Sequence, residues 1–227
     1  ISLNGGCSTI PTTTGNNAIG LNSWQHIATT INSDTVRIYV NGILSNTFTG
    51  VSFNTTNSLT AYFGKFLNPN NASQKYHLKG YLDEMAIWGR KLTDQEIYTL
   101  VYGTSSAPSI PSTVPMSGLI GYWPFDGNAN DLSVNQNHGT VSGAVLSNDR
   151  NGAALKSYYF DGIDDLITVP TLNFPVGGTA RTFAFWVNYS SSIQPSPFND
   201  MSSALSYGAV SANCTQMSVL LTNNGKI

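Results

Sequence analysis

Short stretches of alternating apolar and polar residues, punctuated by turn dipeptides, run along most of this chain. Trp24–Ile31 is one such stretch, and Thr35–Val40 and Ile43–Phe48 flank Asn41-Gly42, a strong two-residue hairpin signal. Val36, Ile38 and Val40 share one face, as a period of two requires. Ser58–Phe63 and Tyr81–Trp88 read as further strands. One short helix follows, with Thr93 as its cap, Glu96 as the reciprocal partner of a capping box, and Gly103 as its stop. Later strands are expected at Leu119–Phe125, Ala153–Phe160, Asp165–Val169, Thr182–Asn188 and Gln216–Thr222. Asp126-Gly127, Asn137–Gly139, Asp161-Gly162 and Asn223–Gly225 supply turns between them. Many short strands separated by turn signals indicate an all-β sandwich.

Residues 104–115, TSSAPSIPSTVP, break this pattern with three prolines among serines and threonines. Such a stretch is extended and acts as a linker between residues 1–103 and 116–227. No internal repeat relates the two parts.

Composition narrows the class. The chain has 227 residues and a formal charge of −2, with only 10% charged residues. Ten bases against twelve acids give no nucleic-acid footprint. No apolar run approaches the roughly 18 residues of a membrane span. Aromatic residues at 11% argue for a packed core. The chain opens without an initiator Met or a signal peptide and reads as an excised segment.

The two parts resemble different halves of one module. Such modules open with a pattern like GLIGYWPFDGNANDLSVNQNHGTVSGA (Gly118–Ala144), continue with YYFDGIDDLITV (Tyr158–Val169), and then TFAFWVN (Thr182–Asn188). Their second half carries SWQHIATT and VRIYVNG (within Ser23–Gly42) and closes with GYLDEMAIWGRKLTDQEI (Gly80–Ile97). Together these motifs resemble the laminin-G-like jelly roll of the concanavalin A-like lectin/glucanase superfamily, with the closing half placed first. The resemblance implies a two-sheet antiparallel jelly-roll sandwich. Three accounts fit the permuted order: a window on a tandem array, a circular permutant, or halves completed by a neighbouring chain. Closure within the chain is expected, because a half-sandwich would expose Val36, Ile38, Phe183 and Phe185 at roughly 25 cal/mol per Å².

In the cyclic order implied, Cys7 and Cys214 lie symmetrically about Asn224, so a hairpin there sets them opposite each other. A disulfide and an oxidising compartment are expected; two buried free thiols are the alternative.

The superfamily includes glucanases, and retaining glycosidases need two carboxyl groups about 5–5.5 Å apart. This chain has only two glutamates, Glu84 and Glu96, and Glu96 is assigned to the helix cap. Asp83 adjoins Glu84, but strand neighbours point to opposite faces. No catalytic residue is therefore assigned. Calcium is the expected ligand chemistry. The loop from Asp131 through Asn135 to Asn137 offers oxygens, and Asp83 or Glu84 on the closing strand supplies further charge; shaping a turn is the alternative role. The Asp161, Asp164 and Asp165 cluster reads as a hairpin turn. Tyr76, His77, Tyr158 and Tyr207 sit near loops and are expected to meet a ligand, whereas Trp24, Trp88, Trp123 and Trp186 fall within strand patterns and read as core. The whole reads as a non-catalytic extracellular recognition module for a glycan or surface glycoprotein, flanked by neighbouring modules. A structural spacer and an accessory part of a glycan-degrading enzyme are the alternatives.

Overall fold

The computed structural model describes residues 2–5, 19–53, 55, 60–67, 75–103, 110–190, 201–208 and 216–222. The part before the linker contributes β1 (Ser2–Gly5), β2 (Trp24–Asn32), β3 (Thr35–Val40), β4 (Ile43–Phe48) and β5 (Thr60–Phe63). It continues with β6 (Lys65–Leu67), β7 (Lys75–His77), β8 (Lys79–Trp88) and the helix α1 (Asp94–Tyr102). The part after it contributes β9 (Leu119–Trp123), β10 (Thr140–Ser142), β11 (Val145–Ser147) and β12 (Ser157–Asp161). β13 (Leu166–Pro170), β14 (Arg181–Tyr189), β15 (Met201–Gly208) and β16 (Gln216–Thr222) complete it.

Apart from β6 and β7, which pair with each other, these strands form a two-sheet antiparallel sandwich. One sheet runs β1-β16-β15-β5-β13-β10 and the other β11-β12-β8-β14-β2-β3-β4, with β9 also paired to β8. Each sheet draws strands from both sides of the linker. The N-terminal strand lies antiparallel on the C-terminal one, with Ser2 opposite Leu220 and Gly5 opposite Met217.

Alternation along the strands builds the core. Ile27, Ile31, Val36, Ile38, Phe183, Phe185 and Val187 from the larger sheet meet Phe63, Ile167, Val169, Leu205 and Val219 from the smaller. Full burial of such side chains contributes about 1.5–3 kcal/mol each. The Asn41-Gly42 turn forms as expected, with both residues at positive φ.

A second apolar cluster covers one end of the larger sheet's outer face. Leu92 before α1, Ile97 on it and Val114 after it pack onto Ala28, Tyr39, Ala86, Trp88 and Tyr122. The capping box is present, and Glu96 is further held by Arg90 at 2.6 and 2.9 Å. Gly103 ends the helix in extended conformation, where a Cβ would collide with the Thr113 side chain. Gly103 is the stop as expected, and its small size matters through this approach. Among the described residues no helix is long and apolar enough to cross a membrane.

Among the described residues, two strands fall short of expectation by two residues or more. The strand expected at Ala153–Phe160 begins only at Ser157, because the Asp149 carboxylate accepts the Asn151 and Ala153 amides and folds that stretch into a turn. β9 stops at Trp123 because Pro124 has no amide to donate.

Candidate functional site

The site grows from one irregularity in β8. Leu82 and Met85 both enter the core between the sheets, although strict alternation would send Leu82 and Glu84 inward together. A bulge resolves the conflict: on β14, Ala184 faces Ala86 but Trp186 faces Asp83, so β8 carries one extra residue. Glu84 takes the strain at φ +49. On its other edge β8 pairs with β12 through Leu82 and with β9 from Met85, leaving Asp83 and Glu84 between the two ladders.

Both carboxylates therefore reach one guanidinium. Arg150, on the loop between β11 and β12, donates to Asp83 Oδ2 at 3.0 Å and to Glu84 Oε1 at 3.2 Å. The same guanidinium lies 4.5 Å from the Trp186 ring centre, a cation–π contact. The expectation that Asp83 and Glu84 point to opposite faces is corrected here, and the bulge is the reason. Asp83 is almost wholly buried, and burial pushes its carboxyl up to about 8; the Glu84 charge pushes the same way and Arg150 pulls back. Burial also raises Glu84, against the Arg150 charge and hydrogen bond.

Behind this pair lies His26, 3% exposed and edge-on to Trp186 at 5.3 Å. Its Nδ1 has no hydrogen-bond partner among the described residues. Burial, reinforced by the Arg150 charge, pushes the imidazole down to about 3. The Tyr122 hydroxyl is raised by burial and by the Glu84 and Asp83 charges. In front, an open cleft of about 480 Å³ is lined by Asp83, Glu84, Asp126, Asp149, Arg150 and Lys156. Lys156 pairs with Asp126 at 2.9 Å.

An aromatic strip adjoins the cleft. Trp24 of β2, Tyr81 of β8 and Tyr159 of β12 are half-buried on the outer face, with ring centres 6.0 and 4.9 Å apart in turn. Trp24, Tyr81, Asn148, Asp149 and Asn188 line a hollow of about 360 Å³, and Asp149 lines both this hollow and the cleft.

The residues singled out in the sequence fall elsewhere. Asp131 is 2% exposed and accepts four hydrogen bonds: Oδ1 from the Tyr122 and Ser133 amides, Oδ2 from the Asn137 amide and the Ser133 hydroxyl. Asn137 exchanges hydrogen bonds with the Leu172 backbone, and Asn135 binds the Ile120 carbonyl and Asn173. These side chains are engaged in shaping the loop, the alternative role weighed above. Asp83 and Glu84 turn to Arg150. Tyr76, His77, Tyr158 and Tyr207 are all buried, Tyr207 completely, with its hydroxyl bound by Arg181 and the Pro175 carbonyl. The expectation that these four stand open to a ligand is corrected: Tyr158 and Tyr207 enter the core between the sheets, Tyr76 packs on Phe66 and Leu220, and His77 is buried beside the Asp165 carbonyl. Trp88 and Trp123 are core as expected, while Trp24 and Trp186 are not fully buried. The Asp161, Asp164 and Asp165 oxygens lie within 4.8 Å of one another. Two of them organise the turn by accepting the Ile163 and Asp161 amides. Cys7 and Cys214 lie outside the described residues. Arg150, Tyr81 and Tyr159 were not singled out in the sequence, and Trp24 and Trp186 were read there as core, yet Leu82-x-x-Met85 inside a period-two strand was a readable sign of a bulge.

A laminin-G-type family model, described as the concanavalin A-like lectin/glucanase superfamily, matches residues 1–98. No curated protein matches the chain. The match and the jelly-roll sandwich agree, and together they support a laminin-G-like, concanavalin A-like binding module at the level of the family.

Proposed function

We propose that the chain is a non-catalytic recognition module that binds carbohydrate on the outer face of its larger sheet. The observation that carries this reading is the Trp24–Tyr81–Tyr159 strip beside a polar cleft. Sugar rings offer apolar C–H faces to aromatic rings and hydroxyls to amides and carboxylates, and Asn148, Asn188 and Asp149 lie within the same hollow. A glycan of a surface glycoprotein fits this reading, with the module working in adhesion outside the cell beside neighbouring modules. Residues 1–103 then serve as a closing half and residues 116–227 as an opening half of one sandwich.

A hydrolytic role is disfavoured by the chemistry of the cleft. Asp83 and Glu84 are sequence neighbours tied to one guanidinium, so they do not flank a bond from two sides. Asp126 is paired with Lys156, and Asp149 accepts two backbone amides.

A glycan array followed by isothermal titration calorimetry tests the proposal. Binding of a neutral oligosaccharide, weakened about tenfold or more by Tyr81→Ala, supports it. Absence of binding across the array favours the structural-spacer reading. Release of reducing ends, lost in Glu84→Gln, would favour an enzyme.

A further inference from the structure

The aromatic strip belongs to a single row that crosses the larger sheet at right angles to its strands. Trp24 of β2 lies opposite Asn188 of β14, Asn188 opposite Tyr81 of β8, and Tyr81 opposite Tyr159 of β12. Val145 of the edge strand β11 continues the row, opposite Tyr159 and 55% exposed. Alternation fixes the face. The chain neighbours Leu82, Val187, Tyr189, Tyr158 and Phe160 all enter the core between the sheets. Adjacent strands lie about 4.8 Å apart, so the row extends over about 19 Å. The β2–β3 ladder begins only at Ile27, so no strand carries the row past Trp24, and Val145 stands at the sheet edge. The sheet therefore closes the row at neither end.

Three further observations bear on what the row takes. The Asn188 amide is half-buried at its centre, lines the hollow with Trp24 and Tyr81, and makes no side-chain hydrogen bond among the described residues. Asp149 is the charged side chain of that hollow, and its carboxylate is engaged by the Asn151 and Ala153 amides. The ring planes tilt by 49° from Trp24 to Tyr81 and by 50° from Tyr81 to Tyr159, so neighbouring rings share no plane.

Resting on the carbohydrate reading above, we propose that the row binds the interior of a single neutral, linear glycan laid across the strands, about four sugars at a time, because an extended pyranose chain advances by roughly one strand spacing per residue. Sugar C–H faces stack in turn on Tyr159, Tyr81 and Trp24, and the Asn188 amide, both donor and acceptor, takes hydroxyls between the last two. Tilted rings fit a lone chain that rotates at each linkage, whereas a flat face of packed chains meets one ring at a time. A charged chain finds no free counter-ion in the hollow.

Calorimetry at pH 7 with oligomers of one to six residues tests this, using β-1,3-linked glucose, β-1,4-linked glucose and β-1,4-linked mannose, with a galacturonate tetramer as the charged probe. Any other neutral chain found on the array is run as the same series. In the series that binds, the tetramer should bind about tenfold tighter than the dimer, and the hexamer less than about twofold tighter than the tetramer. The galacturonate should give no measurable heat, and microcrystalline cellulose should not retain the protein. Tyr159→Ala should weaken the tetramer about fivefold and leave the dimer within about twofold. Asn188→Ala should weaken the tetramer about threefold. Val145→Asp, at an exposed edge position that does not threaten folding, should weaken the tetramer about twofold and spare the dimer. Dimer binding as tight as tetramer binding, heat from the galacturonate, or retention on the cellulose overturns the single neutral chain while leaving carbohydrate recognition standing. A length dependence unchanged by all three substitutions overturns the assignment to this row. Failure of every series, together with a blank array, overturns both.

Discussion

Two buried carboxylate sites lie on either side of the β8–β9 ladder, and they are built in opposite ways. Asp131 and Asp83 are equally hidden, each 2% exposed. Asp131 receives three backbone amides and a hydroxyl, all from residues close in sequence or on adjoining β9. Asp83 has one strong partner, the Arg150 guanidinium, which it shares with Glu84. The first site satisfies its charge locally and organises a loop. The second leaves two neighbouring carboxyl groups to one cation, and burial raises both. Burial of an acid is therefore no guide to its role; the number and kind of its donors are.

The largest expected effect comes from the locally satisfied site. Asp131→Ala strands the amides of Tyr122, Ser133 and Asn137 and should cost roughly 3–5 kcal/mol. Urea denaturation reads this as a lower midpoint at unchanged slope. Calcium should leave the wild-type thermal midpoint unchanged, because the Asp131 oxygens already carry protein donors. A calcium-dependent rise lost in Asp131→Ala would restore the cation role and collapse the distinction between the two sites.

Arg150→Ala tests the other side of the comparison. It leaves Asp83 and Glu84 without their cation and should cost roughly 2–3 kcal/mol at pH 8.5. The loss should shrink at pH 5, where Asp83 holds its proton and needs no cation. A cost independent of pH would mean that the guanidinium acts through its packing on Trp186.

The fold was legible where alternation is strict and turns carry their own signals. Thr35–Val40, Asn41-Gly42, Ile43–Phe48 and the Thr93–Glu96 capping box follow from local rules, and the structure has them. β15 was missed because its core residues Ala204, Leu205 and Tyr207 are set among serines. The Asp131 loop was found but its chemistry was open, since sequence does not tell whether a carboxylate meets a metal or its own backbone. The Asp83–Glu84–Arg150 group was hidden for two reasons. A bulge inverts the face assignment that period two predicts, and Arg150 arrives from a loop 66 residues away from Glu84.

The pH dependence of stability separates His26 from Asp83 with opposite signs. His26 is neutral in the fold down to about 3, against 6.5 for the ordinary imidazole. The unfolded chain takes up that proton first, so its contribution is full above pH 6.5 and is lost as pH falls toward 3. Asp83 keeps its proton in the fold up to about 8, whereas the unfolded carboxyl ionises near 3.8. The unfolded state then releases the proton first, and stability falls as pH rises from 3.8 to 8. Each slope is bounded by about 1.4 kcal/mol per pH unit for one proton. The two oppose each other below 6.5, and only the Asp83 decline remains between 6.5 and 8. Asp83→Asn should flatten that upper window, and His26→Phe should leave it in place. A flat wild-type profile from 6.5 to 8 would show that Arg150 fully compensates the burial of Asp83.

The smallest effect on stability should come from the aromatic strip, and the contrast with the buried acids is its test. Trp24 is half-exposed at the start of β2, pairs across the sheet with Asn188, and has Tyr81 as its ring neighbour at 6.0 Å. It belongs to neither of the large apolar clusters. Trp24→Ala should therefore cost less than about 1 kcal/mol, a shift in thermal midpoint within about 2–4 °C for a chain of this size. Under the proposed function, the value of this ring lies in ligand contact rather than in the fold. The same substitution should weaken oligosaccharide binding about tenfold, or roughly 1.4 kcal/mol. If Trp24→Ala instead unfolds the protein as severely as Asp131→Ala, the strip is structural. The division between a satisfied scaffold and an unsatisfied face would then have to be redrawn.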